Sequence, residues 1–384
     1  MSEKIIPVTR PSFGSLEESA VVETLRSGWV AQGPRVAQFE AKFAEYAGAT
    51  DAVAVSSCTT ALHLGLLAAG VERGDEVICP SLSFIATANA IVYLGATPVF
   101  VDVDERTYNM DPNLIEDAVT PRTRAILAVH QIGLPAEMDS LNDIARRRNL
   151  TVVEDAACAI GSVYRGRRIG HPHSMLACFS FHPRKILTTG EGGMITTADV
   201  ELAGRLRRLR QHAMSVSDVV RHRASKVTAE SYDEVGYNYR MTDLQAAVGI
   251  AQLQRLEGMI ERRRELAKRY SQALAELPEV TIPAEPEGCR HNYQSYMIRI
   301  NGAPAAERDT VMQALLDRGI STRRGIMAIH REIPYRSDKW ERALPVTNRV
   351  SESGLILPLY HEMTFEDQDH VIGSLRELLR TVTV

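Results

Sequence analysis

Seven short apolar runs punctuate the first half of the chain, and stretches with helical spacing lie between most of them. The runs are Ala52-Val-Ala-Val55, Glu76-Val-Ile-Cys79, Thr97-Pro-Val-Phe-Val101, Ala125-Ile-Leu-Ala-Val129, Thr151-Val-Val153, Ala177-Cys-Phe-Ser180 and Gly193-Met-Ile-Thr196. Runs this short and this continuously apolar suit strands buried on both faces, which is the signature of a parallel sheet. Helical patterns over residues 60–69, 86–94 and 139–148 supply the crossovers, the first stopping at Gly70. The expected fold class is therefore α/β, with a mostly parallel seven-stranded sheet flanked by helices. The last two runs are too close for a long crossover, so an antiparallel hairpin is expected there. Two amphipathic helices, broken at Ser27-Gly-Trp-Val-Ala-Gln-Gly-Pro34, precede the sheet.

The texture changes after residue 200. A helical pattern over residues 243–274 leads to the proline-rich Leu277-Pro-Glu-Val-Thr-Ile-Pro-Ala-Glu-Pro286. Beyond it the pattern reads strand (Tyr296-Met-Ile-Arg-Ile300), helix (306–318), an irregular segment and a last helix (364–380). The expected division is a large unit, residues 1–280, and a smaller α+β C-terminal unit, residues 281–384.

Composition excludes some functions. A formal net charge of -4 argues against a nucleic-acid footprint. The basic clusters Arg205-Leu-Arg-Arg-Leu-Arg210 and Glu261-Arg-Arg-Arg264 read as solvated helix faces, with phosphate contact as the minority reading. Five scattered cysteines, none in a CxxC pair, suit free thiols in a reducing compartment. The start of the chain has no apolar core of a leader, and no run approaches the length of a membrane span. A cytoplasmic protein is expected. No cysteine or histidine set has metal spacing, so no metal site is expected, and Gly190-Glu-Gly-Gly193 is not a dinucleotide fingerprint.

Chemistry gathers where runs end. Lys185 lies past Pro183 in Phe179-Ser-Phe-His-Pro-Arg-Lys185, on a turn that can present an amine to a cleft. Asp155 ends the run Val152-Val-Glu-Asp155 and is followed by the small residues Ala-Ala-Cys-Ala. An amine that can form a Schiff base and a carboxylate that can hold a proton on a pyridine nitrogen are what a pyridoxal phosphate enzyme needs. Read alone, a Glu-Asp pair after a strand equally fits a helix cap and a surface charge. Ser56-Ser-Cys-Thr-Thr60, at a strand-to-helix junction, suits either an anion site or ordinary capping. Phe84, in Pro80-Ser-Leu-Ser-Phe84, can stack on a planar ring or belong to the core. His130, Gln131 and Gly133 end another run and are further candidates for lining the cleft. His182 is either another polar group of that cleft or a packed histidine.

The wording of Val153-Glu-Asp-Ala-Ala157, Phe179-Ser-Phe-His-Pro-Arg-Lys185, Thr189-Gly-Glu-Gly-Gly193 and Gly236-Tyr-Asn-Tyr-Arg-Met-Thr-Asp243 goes further. In that order these segments resemble the sugar aminotransferase branch of fold-type I pyridoxal phosphate enzymes, the DegT/DnrJ/EryC1/StrS type. The resemblance implies that fold, pyridoxal 5'-phosphate as cofactor, and a homodimer with shared active sites. It assigns Lys185 the covalent hold on the cofactor and the proton transfers, Asp155 the pyridine nitrogen, and Phe84 the ring stacking. Cys58, Thr59 and Ser180 match phosphate-contacting positions, although glycine is frequent where Cys58 stands. Cys158 stands where the family often has Gln or His against the far side of the ring. Asn238 matches a residue that reaches the neighbouring subunit's cofactor.

For the substrate, the resemblance implies transfer from L-glutamate to a nucleotide-linked keto sugar, a 4-keto-6-deoxy sugar before a 3-keto one. Gly28 and Trp29 resemble the border of the sugar-nucleotide cleft, and His330 matches a retained position. Arg324-Gly325 replaces a His-Tyr pair, and the basic stretch Met214-Ser-Val-Ser-Asp-Val-Val-Arg-His-Arg-Ala-Ser-Lys226 lies beside the expected mouth. Either can meet a diphosphate or a carboxylate, or simply face solvent. A free cyclitol ketone such as an inosose is the alternative acceptor. A non-catalytic homologue that binds cofactor or amino sugar is the other alternative. Relatives with His at the lysine position are dehydratases, and Lys185 speaks against that reaction.

Overall fold

The computed structural model describes residues 5–216, 229–302 and 304–382. The seven apolar runs become strands of one sheet: β1 (Asp51–Val55), β2 (Glu76–Pro80), β3 (Thr97–Val101), β4 (Thr123–Val129) and β5 (Thr151–Asp155), then β8 (Leu176–Ser180) and β9 (Gly193–Thr197). Two short strands, β6 (Val163–Tyr164) and β7 (Arg167–Arg168), intervene and form a separate small sheet with β11 (Cys289–Arg290). The large sheet runs β1-β9-β8-β5-β4-β2-β3. All its pairings are parallel except those of β9, which is antiparallel to both β1 and β8. The short connection from Ser180 to Gly193 forces this reversal, as the close spacing of the two runs predicts. It also brings Gly193, the first residue of β9, level with the carboxyl ends of its neighbours.

Alternation along the strands divides two cores across the sheet. Ala52, Ala54, Ile126 and Ala128 join Phe39, Phe43 and Phe179 on one face. Val53, Val55, Ala125 and Leu127 join Leu62, Leu64 and Leu206 on the other. The helix Pro34–Ala47 and the long helix Asp243–Leu274 cover the first face. The helices Cys58–Ala68, Ala86–Tyr93 and Val200–Leu209 cover the second.

A four-stranded antiparallel sheet follows, in the order β10 (Val280–Thr281), β12 (Tyr296–Ile300), β14 (Gly354–Leu357), β13 (Arg323–Arg324). Its core joins Tyr296, Ile298, Leu355 and Leu357 to Val371 and Leu375 of the last helix, Phe365–Val382, and to Leu266, Tyr270 and Leu274 of the long helix. The stretch expected to be irregular holds β13, β14 and the helices Asp338–Ala343 and Pro345–Ser353. β13 escapes pattern reading because it is two exposed arginines with no apolar alternation. Among the described residues no helix is long and apolar enough to cross a membrane.

Candidate active site

The carboxyl ends of β1, β2, β4, β5 and β8 border a cavity of about 880 Å³, whose opposite wall comes from residues 294–359. Open α/β sheets bind ligands at this edge. Asp155 is the last residue of β5, and the parallel register sets it beside Val129 and Cys178. Its carboxylate accepts hydrogen bonds from Thr87 Oγ1 (2.8 Å) and the Ala157 amide (3.2 Å). Burial pushes its pKa up, against the pull of the Thr87 and Ala157 donors and of the Lys185 charge.

Glu154, one residue earlier, points to the opposite face. It accepts from Ser174 Oγ at 2.6 Å and lies 2.8 Å from His130 Nε2. His130 Nδ1 accepts the Ala136 amide at 3.0 Å, so the imidazole proton sits on Nε2 and is donated to Glu154. The Glu-Asp doublet is thus two buried carboxylates with separate partners, and the surface-charge reading of it is corrected.

Lys185 sits on the turn after β8, where its amide donates to the His182 carbonyl at 2.8 Å. Its Nζ donates to Cys158 Sγ at 3.0 Å. Burial disfavours the ammonium, but the Cys158 thiol, Cys58 and Asp155 outweigh it and raise the pKa above the ordinary lysine value. Cys58 lies within the same field and is fully buried, which pushes its thiol well up.

The cavity's other end is the N-terminus of the helix Cys58–Ala68, capped by Ser57 Oγ, which accepts the Thr60 amide at 3.2 Å. Cys58 and Thr59 stand in the first turn, where amides lack intrahelical partners, a favourable place for an anion. A Cβ on Gly193 would lie 2.5 Å from the Ser57 carbonyl oxygen and 2.8 Å from the Cys58 nitrogen. Only glycine lets β9 begin against this turn.

Phe84, Cys158, Ser180, His182 and Arg324 also line the cavity, together with His130 and Gln131. Gly133 does not: a Cβ there would overlap Asn292 Oδ1 at 1.8 Å. His330 is not part of the lining either. It is buried with Nδ1 2.7 Å from Ser81 Oγ and Nε2 3.0 Å from Asn348 Oδ1, so both ring nitrogens are engaged inside the protein. Gly28 ends the helix Ser15–Ser27 with φ 79°, and neither it nor Trp29 reaches the cavity. Asn238 is exposed and outside the chain's own cavity. The basic stretch at 214–226 falls, from residue 217 onward, outside the described residues.

Several lining groups carry no sequence signal. Thr87 is a small polar side chain on a mostly apolar helix, where nothing local marks it as a partner of Asp155. Arg184 and Arg323 join Arg324 at the cavity, and no acid partner for these three guanidinium groups occurs among the described residues. Burial and the nearby Arg323 charge lower the Arg184 pKa. Gln294 reaches the cavity from the loop before β12.

The donor set fits the expected cofactor. A buried carboxylate, an amine, an aromatic face and an anion-ready helix end line one cavity, with room for a second molecule.

The family model described as the DegT/DnrJ/EryC1/StrS aminotransferase family matches residues 11–376. The aminotransferase TlmJ from Streptoalloteichus hindustanus is 36% identical, with a TM-score of 0.91, covering 99% of this chain and 100% of that chain. DesV of S. venezuelae is 35% identical, with a TM-score of 0.89, covering 98% and 99%. A putative sugar aminotransferase from Streptococcus pneumoniae is 28% identical. Its PMP form superposes with a TM-score of 0.92, covering 98% of this chain and 100% of that chain. Its PLP form gives 0.91, covering 98% and 99%.

Proposed function

The chain belongs to the DegT/DnrJ/EryC1/StrS aminotransferase family, and from that premise we propose that it moves the amino group of L-glutamate to a keto sugar carried on a nucleoside diphosphate. It is a pyridoxal phosphate-dependent aminotransferase with the fold-type I architecture. The observation that carries the proposal is the set Arg184, Arg323 and Arg324 beside the Lys185 end of the cavity, without an acid partner among the described residues. Guanidinium groups without acid partners suit an anionic substrate, and a diphosphate offers several oxygens for forked contacts. A free cyclitol ketone has no charge for them.

When bound, the cofactor supplies an electrophilic carbon and a ring that takes up the electron pair of a broken carbon–hydrogen bond. The chain's part is placement and proton traffic. Lys185 Nζ would hold the cofactor and, once freed by the donor amine, would take the proton from the donor's α carbon. In the return half it delivers a proton to the sugar carbon that receives the amine. The Asp155 carboxylate, supported by Thr87 and the Ala157 amide, would hold a proton on the ring nitrogen. Phe84 and Cys158, which both line the cavity, would pack against the ring, and the Cys58–Thr59 turn with Ser180 would receive the phosphate.

Asn238, exposed and away from its own cavity, suits a role in a partner copy's site, so the working unit on this reading is a homodimer. The position of amination follows 4-keto-6-deoxy sugars first and 3-keto sugars second.

The test is single turnover. Pyridoxamine phosphate-loaded protein is mixed with a panel of nucleotide-linked keto sugars and free inososes, and loss of the amine form is followed. Amination of a nucleotide-linked member is expected. Reaction with an inosose alone gives the acceptor to the cyclitol class, and no reaction with any acceptor sinks the transaminase assignment of this site.

A further inference from the structure

The segment His291-Asn-Tyr-Gln294, just before β12, touches both halves of the Lys185–Cys158 contact. Gln294 Nε2 donates to the Arg184 carbonyl at 2.7 Å, and Gln294 Oε1 accepts the Ile186 amide at 3.1 Å. One side-chain amide therefore spans the peptides on either side of Lys185. Asn292 Nδ2 donates to the carbonyls of Cys158 (2.8 Å) and Ile160 (2.9 Å), while Asn292 Oδ1 accepts the Gln294 amide at 2.8 Å. Gly133 leaves the space that Asn292 fills.

The segment is built to hold one shape. Tyr293 has φ 49°, a left-handed conformation that costs energy for an aromatic residue and persists only when its surroundings impose it. Arg263, buried within the long helix, imposes it by donating to the carbonyls of Tyr293 (3.0 Å) and Gln294 (2.7 Å). Burial lowers the Arg263 pKa to about 10, so it stays charged at neutral pH and both bonds remain charge-assisted.

We propose that Gln294 is a positioning residue: by holding the peptides on both sides of Lys185, it sets where the amine stands in the cavity. The inference rests on Lys185 being the amine that takes the cofactor and is independent of the acceptor. Lys185 must reach one carbon to hold the cofactor and a neighbouring one to move protons, and small displacements of a reacting group cost rate far more than affinity.

The experiment follows covalent loading of the full-length protein by pyridoxal phosphate, trapped with borohydride at successive times. Wild type is compared with Gln294→Glu, which can still accept from Ile186 but cannot donate to Arg184, and with Gln294→Met, which does neither. Peptide mapping of trapped wild type is expected to place the cofactor on Lys185; a label on another lysine overturns the assignment of the amine and this proposal with it. In both variants the loading rate at saturating cofactor is expected to fall on the order of 10- to 100-fold, with little change in the half-saturating concentration. The pH midpoint of the visible band of the lysine-bound cofactor is expected to move as well. A melting temperature that falls while the saturating rate and midpoint stay at wild-type values overturns the proposal, because Gln294 is then only structural. Hydrogen exchange covers variants that do not fold: the Ile186 amide of wild-type holoenzyme is expected to be protected, and fast exchange there overturns the proposal.

Discussion

Thr87 and Asp155, on different elements and 68 residues apart, meet through a 2.8 Å hydrogen bond from hydroxyl to carboxylate inside the sheet's carboxyl edge. The bond links the helix after β2 to the end of β5 and favours the ionised form of a carboxyl that burial pushes the other way. Ser83 Oγ, 2.8 Å from Thr87 Oγ1, extends the chain of hydroxyls.

Asp155→Asn keeps the shape and removes the charge, and it is expected to lower kcat by about 10²- to 10³-fold, the scale of losing one preorganised electrostatic group. Thr87→Val is expected to do less, but to move the acid limb of the pH–rate profile. Activity needs Asp155 ionised, so it falls as pH drops through the Asp155 pKa. Losing the Thr87 donor raises that pKa further, and the limb shifts to higher pH. Rate profiles of the two variants and wild type check this, and an unmoved limb in Thr87→Val removes Asp155 as the group behind it.

The 3.0 Å contact from Lys185 Nζ to Cys158 Sγ makes cofactor loading pH-dependent. Attack on a carbonyl needs the neutral amine, and Lys185 is held above the ordinary lysine value. Loading of the cofactor-free protein is therefore expected to accelerate steadily from about pH 7 to about pH 9, without a plateau. Cys158→Ala takes away the largest upward influence and leaves burial, so the whole profile moves to lower pH. Stopped-flow absorbance reads both. A profile unchanged by Cys158→Ala would show that the thiol has no hold on the amine.

Arg323→Ala and Arg324→Ala test the anion reading of the cavity. Each is expected to raise KM for the nucleotide-linked acceptor by about tenfold or more, the scale of a charge-assisted hydrogen bond, with kcat nearly unchanged. KM for L-glutamate separates the two sources of an anion: a rise there instead assigns the arginines to the donor's carboxylate.

The large sheet was legible because parallel strands buried on both faces leave continuous apolar runs, and Ala52–Val55 and Ala125–Val129 are of that kind. The antiparallel β9 followed from the short connection between Ser180 and Gly193. Lys185 and Asp155 were legible through the wording of their segments. The members of the site that sequence does not reveal act through geometry. Thr87 and Gln294 are single polar residues whose partners lie 68 and 110 residues away, and no local pattern encodes such distances. His330 went the other way: its position suggested the cleft, but Ser81 and Asn348 engage both ring nitrogens in the interior.

His291 makes the segment His291-Asn-Tyr-Gln294 acid-sensitive. It is buried, its ring lies 4.2 Å from that of Tyr293, and its Nδ1 accepts the Tyr293 amide at 2.9 Å. Burial first, then the Arg264 charge, lowers its pKa from 6.5 to about 3. Between those two values the unfolded chain binds a proton that the folded protein refuses, so stability is lost as pH falls through the window. The loss from this one group is about 1.4 kcal/mol per pH unit. His361, lowered to about 4 by burial, adds a second such proton. His291→Asn keeps an acceptor for the Tyr293 amide but does not titrate. It is expected to be less stable than wild type at neutral pH, with the gap narrowing as pH falls from about 6.5 toward about 4. Urea unfolding at successive pH values measures it, and parallel stability curves for the two proteins would mean that His291 takes up its proton in the folded state as readily as in the unfolded one.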